Sequence, residues 1–164
     1  MKALVAYYSW TGKTAEIAKA IAAELGADLE PIREPKPRRG LFSFLRSALE
    51  ARGNKAAPIL PLSKRAADYD VVVLGSPVWA GRMASPMRAY IEREGVNLKQ
   101  VAFFCTLGGA NGDQALADLR AACGLDPRAE LLVEARALAT GIWRARVGAF
   151  ARKVALAFAA PAAA

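Results

Sequence analysis

Ser9-Trp10-Thr11-Gly12-Lys13-Thr14 places three hydroxyls, a cation and a glycine in one short run, a set suited to gripping a phosphate. The run follows the apolar stretch Ala3 to Tyr8 and precedes a helical pattern, so it falls on a helix N-terminus. There the first-turn N–H groups lack internal partners and the helix dipole favours an anion. The same residue types also build ordinary helix caps. Two further runs carry site-like chemistry: Ser76-Pro77-Val78-Trp79-Ala80-Gly81 and Thr106-Leu107-Gly108-Gly109-Ala110-Asn111-Gly112-Asp113. Trp79, beside Pro and Gly, offers a flat apolar face that could stack on a ring or roof the end of a sheet. Gly108, Gly109 and Gly112 allow close backbone approach to a planar ligand, or serve as turn residues.

What is missing narrows the chemistry further. The chain has no histidine, which excludes Ser/His/Asp and Cys/His triads, imidazole acid–base work and histidine metal sites. Cys105 and Cys123 match no metal or redox spacing and read as reduced structural thiols, so no metal is expected. No side chain stands out as a catalytic acid or base. The reactive group is therefore expected to be a cofactor. Gly12-Lys13-Thr14 is not a nucleotide P-loop, because Tyr7 stands where that motif needs glycine. Asn111 stands where a phosphatase cradle following Cys105 would want arginine.

The elements that must position these runs alternate strand and helix, the mark of a parallel sheet covered on both faces. Lys2 to Tyr8 reads as a central strand, Thr14 to Leu25 as a helix through Ile17, Ile21 and Leu25, and Asp28 to Arg33 as a short strand. Asp70 to Gly75 is a β-branched run buried on both faces, followed by a helix from Ser85 to Arg93. Val101 to Thr106 reads as a fourth strand, Gln114 to Ala122 as a helix, and Glu130 to Ala137 as a polar edge strand. The last helix puts Trp143, Val147, Phe150, Val154 and Phe158 on one stripe, with Arg144, Arg146, Arg152 and Lys153 elsewhere. In such sheets ligands bind beyond the carboxyl ends of the strands where the order reverses, and the three runs mark three such ends.

The segments Ala6-Tyr7-Tyr8-Ser9-Trp10-Thr11-Gly12-Lys13-Thr14 and Val73-Leu74-Gly75-Ser76-Pro77-Val78-Trp79-Ala80-Gly81 resemble the flavodoxin family of FMN-binding proteins. The resemblance implies a three-layer α/β sandwich with a five-stranded parallel sheet in the order 2-1-3-4-5. It implies FMN as cofactor, with its phosphate at Ser9, Thr11, Gly12 and Thr14, flanked by Trp10 and Lys13. The isoalloxazine ring would lie between Pro77, Val78, Trp79, Ala80 and Gly81 on one side and Thr106, Leu107, Gly108, Gly109, Asn111, Gly112 and Asp113 on the other.

Two departures bear on function. Electron-carrier flavodoxins are acidic, whereas this chain carries a net charge of +8. No aromatic lies between Thr106 and Asp113, where family members often place a stacking Tyr, so one ring face stays open to a substrate. Both favour a reductase passing electrons from NAD(P)H or a protein donor to a small acceptor such as a quinone. The alternatives are a one-electron carrier and a flavin-free interaction module. A cation about 7 Å from the ring would stabilise a reduced anionic flavin by roughly 2 kcal/mol. Lys13, Arg82 and the arginines of the segment 34–61 are the candidates.

That segment has four of the nine prolines and its own short amphipathic stretch, Leu41, Leu45 and Leu49, and reads as a basic insertion in a single domain over 1–158. Phe42 and Phe44 within it could gate the ring. Arg33 to Lys55 holds seven basic and two acidic residues, so contact with an anionic surface is open to it, while specific nucleic-acid binding is not expected. The alanine-rich tail 159–164 should fray. No apolar run approaches the roughly 20 residues of a membrane span, and a cytoplasmic address is expected.

Overall fold

Apolar residues on both faces of every inner strand, and on one stripe of each helix, leave a covered parallel sheet as the way to bury both sets. The computed structural model describes residues 1–36, 53 and 55–159. The parallel strands β1 (Ala3–Tyr8), β2 (Asp28–Ile32), β3 (Val71–Trp79), β5 (Val101–Leu107) and β6 (Pro127–Glu134) run in the order β2-β1-β3-β5-β6. Counting only these five, this is the expected 2-1-3-4-5. A short β4 (Arg82–Met83) pairs antiparallel with the end of β3.

Alternate residues of each strand feed two cores. One unites Leu4, Ala6, Val72, Leu74, Phe103 and Cys105 with α2 (Ser85–Glu94) and α3 (Gly112–Cys123). The other unites Val5, Tyr7, Val73 and Phe104 with α1 (Lys13–Leu25) and α5 (Trp143–Ala159). On α5, Trp143, Val147, Phe150 and Val154 are buried, as their spacing predicts. Gly75 is paired with Phe104, and any Cβ there would stand 2.1 Å from the Phe104 ring. The absent side chain is what leaves room for the Phe104 ring against the strand.

Most element boundaries fall within two residues of the sequence reading, and the third strand and the edge strand differ by more. The third strand does not stop at Gly75 but runs to Trp79, because Ser76 and Pro77 pair with Cys105 and Thr106, and Val78 and Trp79 pair with β4. The edge strand spans Pro127–Glu134, not Glu130 to Ala137. Its last pair is Leu107 with Glu134, so it ends where its partner ends. The following residues form a short helix, α4 (Ala135–Thr140), which periodicity did not separate from the strand. Ala159 belongs to α5 rather than to a frayed tail. Residues 160–164, the stretch with Leu41, Leu45 and Leu49, and Phe42 and Phe44 lie outside the described residues. Among the described residues no helix is long and apolar enough to cross a membrane.

Candidate functional site

The parallel order brings the carboxyl ends of β1, β3 and β5 side by side, and a half-open cleft of about 190 Å³ lies over them. Trp10, Thr11, Lys13 and Thr14 line it from the first run, Pro77, Val78 and Trp79 from the second, and Thr106, Leu107 and Gly108 from the third. Leu138 of α4 completes the wall. Ser9, Gly12, Ala80, Gly81, Gly109, Asn111, Gly112 and Asp113 do not line this cleft but belong to the same three segments.

The β1–α1 turn is built to present polar groups outward. Gly12 takes φ 91°, a left-handed conformation that turns the chain into α1 without a side-chain cap on that residue. Ser9 Oγ accepts from the Ala15 N–H at 3.1 Å, satisfying one first-turn donor. Thr14 Oγ1 and Thr106 Oγ1 lie 2.8 Å apart, a buried hydrogen bond that ties the first run to the third. Thr11 and Lys13 remain exposed at the mouth. Of the three hydroxyls in the motif, two are engaged internally and Thr11 faces the cleft side.

The second run is a hairpin rather than a loop. Ala80 and Gly81 form its two-residue turn with φ 49° and 78°, the sign pair of the turns that match strand twist. A non-glycine residue in that region stores strain, on the order of 1 kcal/mol. The hairpin is held from three sides. Ser76 Oγ donates to the Pro77 carbonyl (2.9 Å) and accepts from the Ala84 N–H (3.0 Å). Arg82 Nε and Nη2 donate to the two oxygens of Asp118, each at 2.8 Å. Asp118 also accepts from the Met83 N–H and from Gln114. Arg82, one of the candidates to charge the site, has its charge matched by a nearly buried carboxylate on α3.

Trp79 is 6% exposed, with Tyr8 and Trp10 edge-on to it at centroid distances of 5.5 and 5.9 Å. The ring roofs the sheet end while still contributing to the cleft wall, and Trp10 is the more exposed indole there. On its other side Trp10 borders a second depression of about 300 Å³, where the Tyr8 hydroxyl donates to Glu34 Oε2 at 2.7 Å.

In the third run, a Cβ on Gly81 would stand 3.0 Å from Asn111 Cβ, so the second and third segments touch there. A Cβ on Gly112 would stand 2.9 Å from the Leu132 side chain, so the bare glycine lets Leu132 pack close against the start of α3. Gly112 and the exposed Asp113 open α3 instead of belonging to a loop. Cys105 lies buried beneath Thr106, and burial pushes its thiol well above the usual range, with Glu130 and Asp118 adding to the shift. It is a packing residue.

Sequence reasoning missed Leu138, Glu34 and Asp118. Asp118 had a readable signal: an acid on the stripe of Ala115, Leu116 and Leu119 must find a partner when that stripe is buried.

Known proteins agree with this architecture. The sequence pattern of the flavodoxin family matches residues 2–136. An NAD(P)H dehydrogenase (quinone) from Caulobacter vibrioides is 34% identical over 97 residues, covering 57% of this chain and 47% of that protein. The chain thus spans about half the length of the curated relatives it matches. A Lactobacillus acidophilus flavoprotein, solved in complex with FMN, is 26% identical with a TM-score of 0.70, covering 80% of this chain and 92% of that one. A structure from Bacteroides uniformis, 24% identical, superposes with a TM-score of 0.77 over 92% of this chain and 97% of its own. With the 2-1-3-4-5 sheet, the hydroxyl-rich turn opening α1 and a family pattern across most of its length, this chain belongs to the flavodoxin family of FMN proteins.

Proposed function

We propose that this protein binds FMN over the ends of β1, β3 and β5 and acts as a reductase, taking electrons from NAD(P)H and passing them to a small acceptor such as a quinone. The observation that carries the reading is the single cleft shared by Thr11, Lys13, Trp79 and Gly108, contributed by three segments far apart in sequence. The residues present fit the cofactor. Free first-turn N–H groups of α1, the Thr11 hydroxyl and the Lys13 ammonium supply donors and charge for a phosphate, while Ser9 and Thr14 hold the turn in shape through Ala15 and Thr106. Pro77, Val78, Trp79, Trp10 and Leu107 supply apolar walls that keep water from a planar ring. The Ala80–Gly81 turn and the peptides from Gly108 to Asn111 supply backbone groups for the ring's polar edge, with Gly112 and Asp113 anchoring them through α3. Bound FMN supplies one- and two-electron redox chemistry, which no side chain of the chain provides.

The nicotinamide donor and quinone acceptor are supported by the name of the Caulobacter relative and by the absence of any aromatic between Thr106 and Asp113, which leaves a ring face accessible. With Arg82 matched by Asp118, Lys13 is the exposed cation lining the cleft, and its charge favours the reduced anionic cofactor. The test is NAD(P)H oxidation by the FMN-loaded protein with a quinone present. Turnover by the protein alone is expected. Turnover only after adding a separate reductase would make it a one-electron carrier, and purified protein that takes up no FMN would overturn the reading altogether.

A further inference from the structure

Four long helices cover the sheet, and their charge patterns differ in kind. α1 carries Lys13 and Lys19 against Glu16 and Glu24. α2 carries Arg88 and Arg93 against Glu92 and Glu94, and α3 carries Arg120 against Asp113 and Asp118. Mixed signs of this sort mark solvated faces. α5 carries Arg144, Arg146, Arg152 and Lys153 and no acid at all. The residues from 135 onward add Arg136 and again no Asp or Glu.

Helix stability does not explain this. Arg144 and Arg146 sit in the first turn of α5, where the dipole favours acids, and nothing acidic is there. Arg146 is partly answered by Glu134 at 3.0 Å, both side chains about half exposed, and the Arg144 guanidinium lies 4.6 Å from the centroid of the Trp143 ring. The buried stripe of α5 faces the sheet, so the outer face consists of Ala145, Ala149, Arg152, Lys153 and Leu156. Its small residues hold nothing bulky between the cations and an approaching surface. Leu156 is 67% exposed, and Ile142, just before the helix, is 58% exposed. Cations flanked by exposed aliphatic side chains on one helix face make the pattern of a helix lying on an anionic bilayer, where the ammonium and guanidinium groups meet lipid phosphates and the aliphatic groups enter the headgroup layer.

We infer that the outer face of α5, with Ile142 and Arg136 beside it, docks this protein on an anionic phospholipid surface. The chemistry is charge complementarity with shallow apolar insertion, and it is independent of whether the cleft holds FMN. A duplex nucleic acid would use the cations but gain little from Leu156 and Ile142, so the lipid surface is favoured.

The experiment is co-sedimentation of the full chain with phosphatidylcholine vesicles containing either no anionic lipid or about 30% phosphatidylserine, at low and high salt. Binding is expected only with phosphatidylserine, weakening as salt rises. Arg152→Gln/Lys153→Gln should weaken it about thirtyfold, at roughly tenfold or less per charge removed, with an unchanged melting temperature. Leu156→Gln should weaken binding with all charges intact. The paired variant Arg38→Gln/Arg39→Gln, in the basic segment before β3, should cost less than the α5 pair. Failure of the wild type to bind phosphatidylserine vesicles overturns the inference. So does equal binding by Arg152→Gln/Lys153→Gln, an equal or greater loss from Arg38→Gln/Arg39→Gln, or displacement from vesicles by duplex DNA with no effect of Leu156→Gln.

Discussion

The β3–β4 hairpin and the β1–α1 turn face one cleft and treat their polar groups in opposite ways. In the hairpin, Ser76 bonds to Pro77 and Ala84, and Arg82 is locked to Asp118, which also receives Met83 and Gln114. In the turn, Thr11 and Lys13 stay exposed above α1's first N–H groups. A rigid apolar wall and an open polar floor result. A cleft for a ligand that is flat and apolar at one end and anionic at the other needs both, because the wall excludes water and the floor must still have donors to give.

The comparison breaks most visibly at Asp118. Asp118→Ala leaves the partly buried Arg82 without its carboxylate and should lower stability by about 3 kcal/mol, near 9 °C in melting temperature. Asp118→Asn, which keeps the shape, should cost less. A melting temperature equal to the wild type's for Asp118→Ala would show that the hairpin does not depend on the clamp.

Alkaline pH tests the helix that anchors the hairpin. Burial pushes the Cys123 thiol of α3 up to about 12 and raises Cys105 as well. Above the unfolded thiol value near 9 the unfolded chain loses its protons while the folded chain keeps them, so stability falls as pH rises. Urea denaturation from pH 8 to 11 should show a decline beginning near pH 9, at up to about 1.4 kcal/mol per pH unit for each thiol. A flat profile would mean that water reaches both thiols.

On the open side, Lys13→Ala should raise the Kd for FMN about tenfold and make binding less sensitive to salt, while leaving melting unchanged. A drop in stability without a change in Kd would reverse its role. Thr106→Val removes the buried bond to Thr14 and should cost about 1 kcal/mol in denaturation, with a smaller change in FMN affinity than Lys13→Ala.

The covered parallel sheet was legible because burial on both faces leaves runs such as Val71 to Leu74 unmistakable, whereas the strand order and the meeting of three strand ends came from the family resemblance. Local pattern stopped being informative at partners distant in sequence. Ser76-Pro77 reads as a loop, since Pro and Ser depart from the apolar run, and only pairing with Cys105 and Thr106 keeps it in the strand. Arg82 reads as a free cation until the fold brings α3 against the hairpin. Ala135 to Thr140 is short and rich in alanine, so nothing in it announces that Leu138 turns toward the cleft. Residue type told which groups could do chemistry, and the fold told which of them are already engaged.

The most direct test of the polar floor is a pair of fluorescence titrations of the apoprotein, one with FMN and one with riboflavin, which differs by the phosphate alone. Saturable FMN binding is expected, with riboflavin about 100-fold weaker because the charge-assisted bonds at the α1 turn are lost. Equal affinity for the two, or no binding of either, would contradict the account.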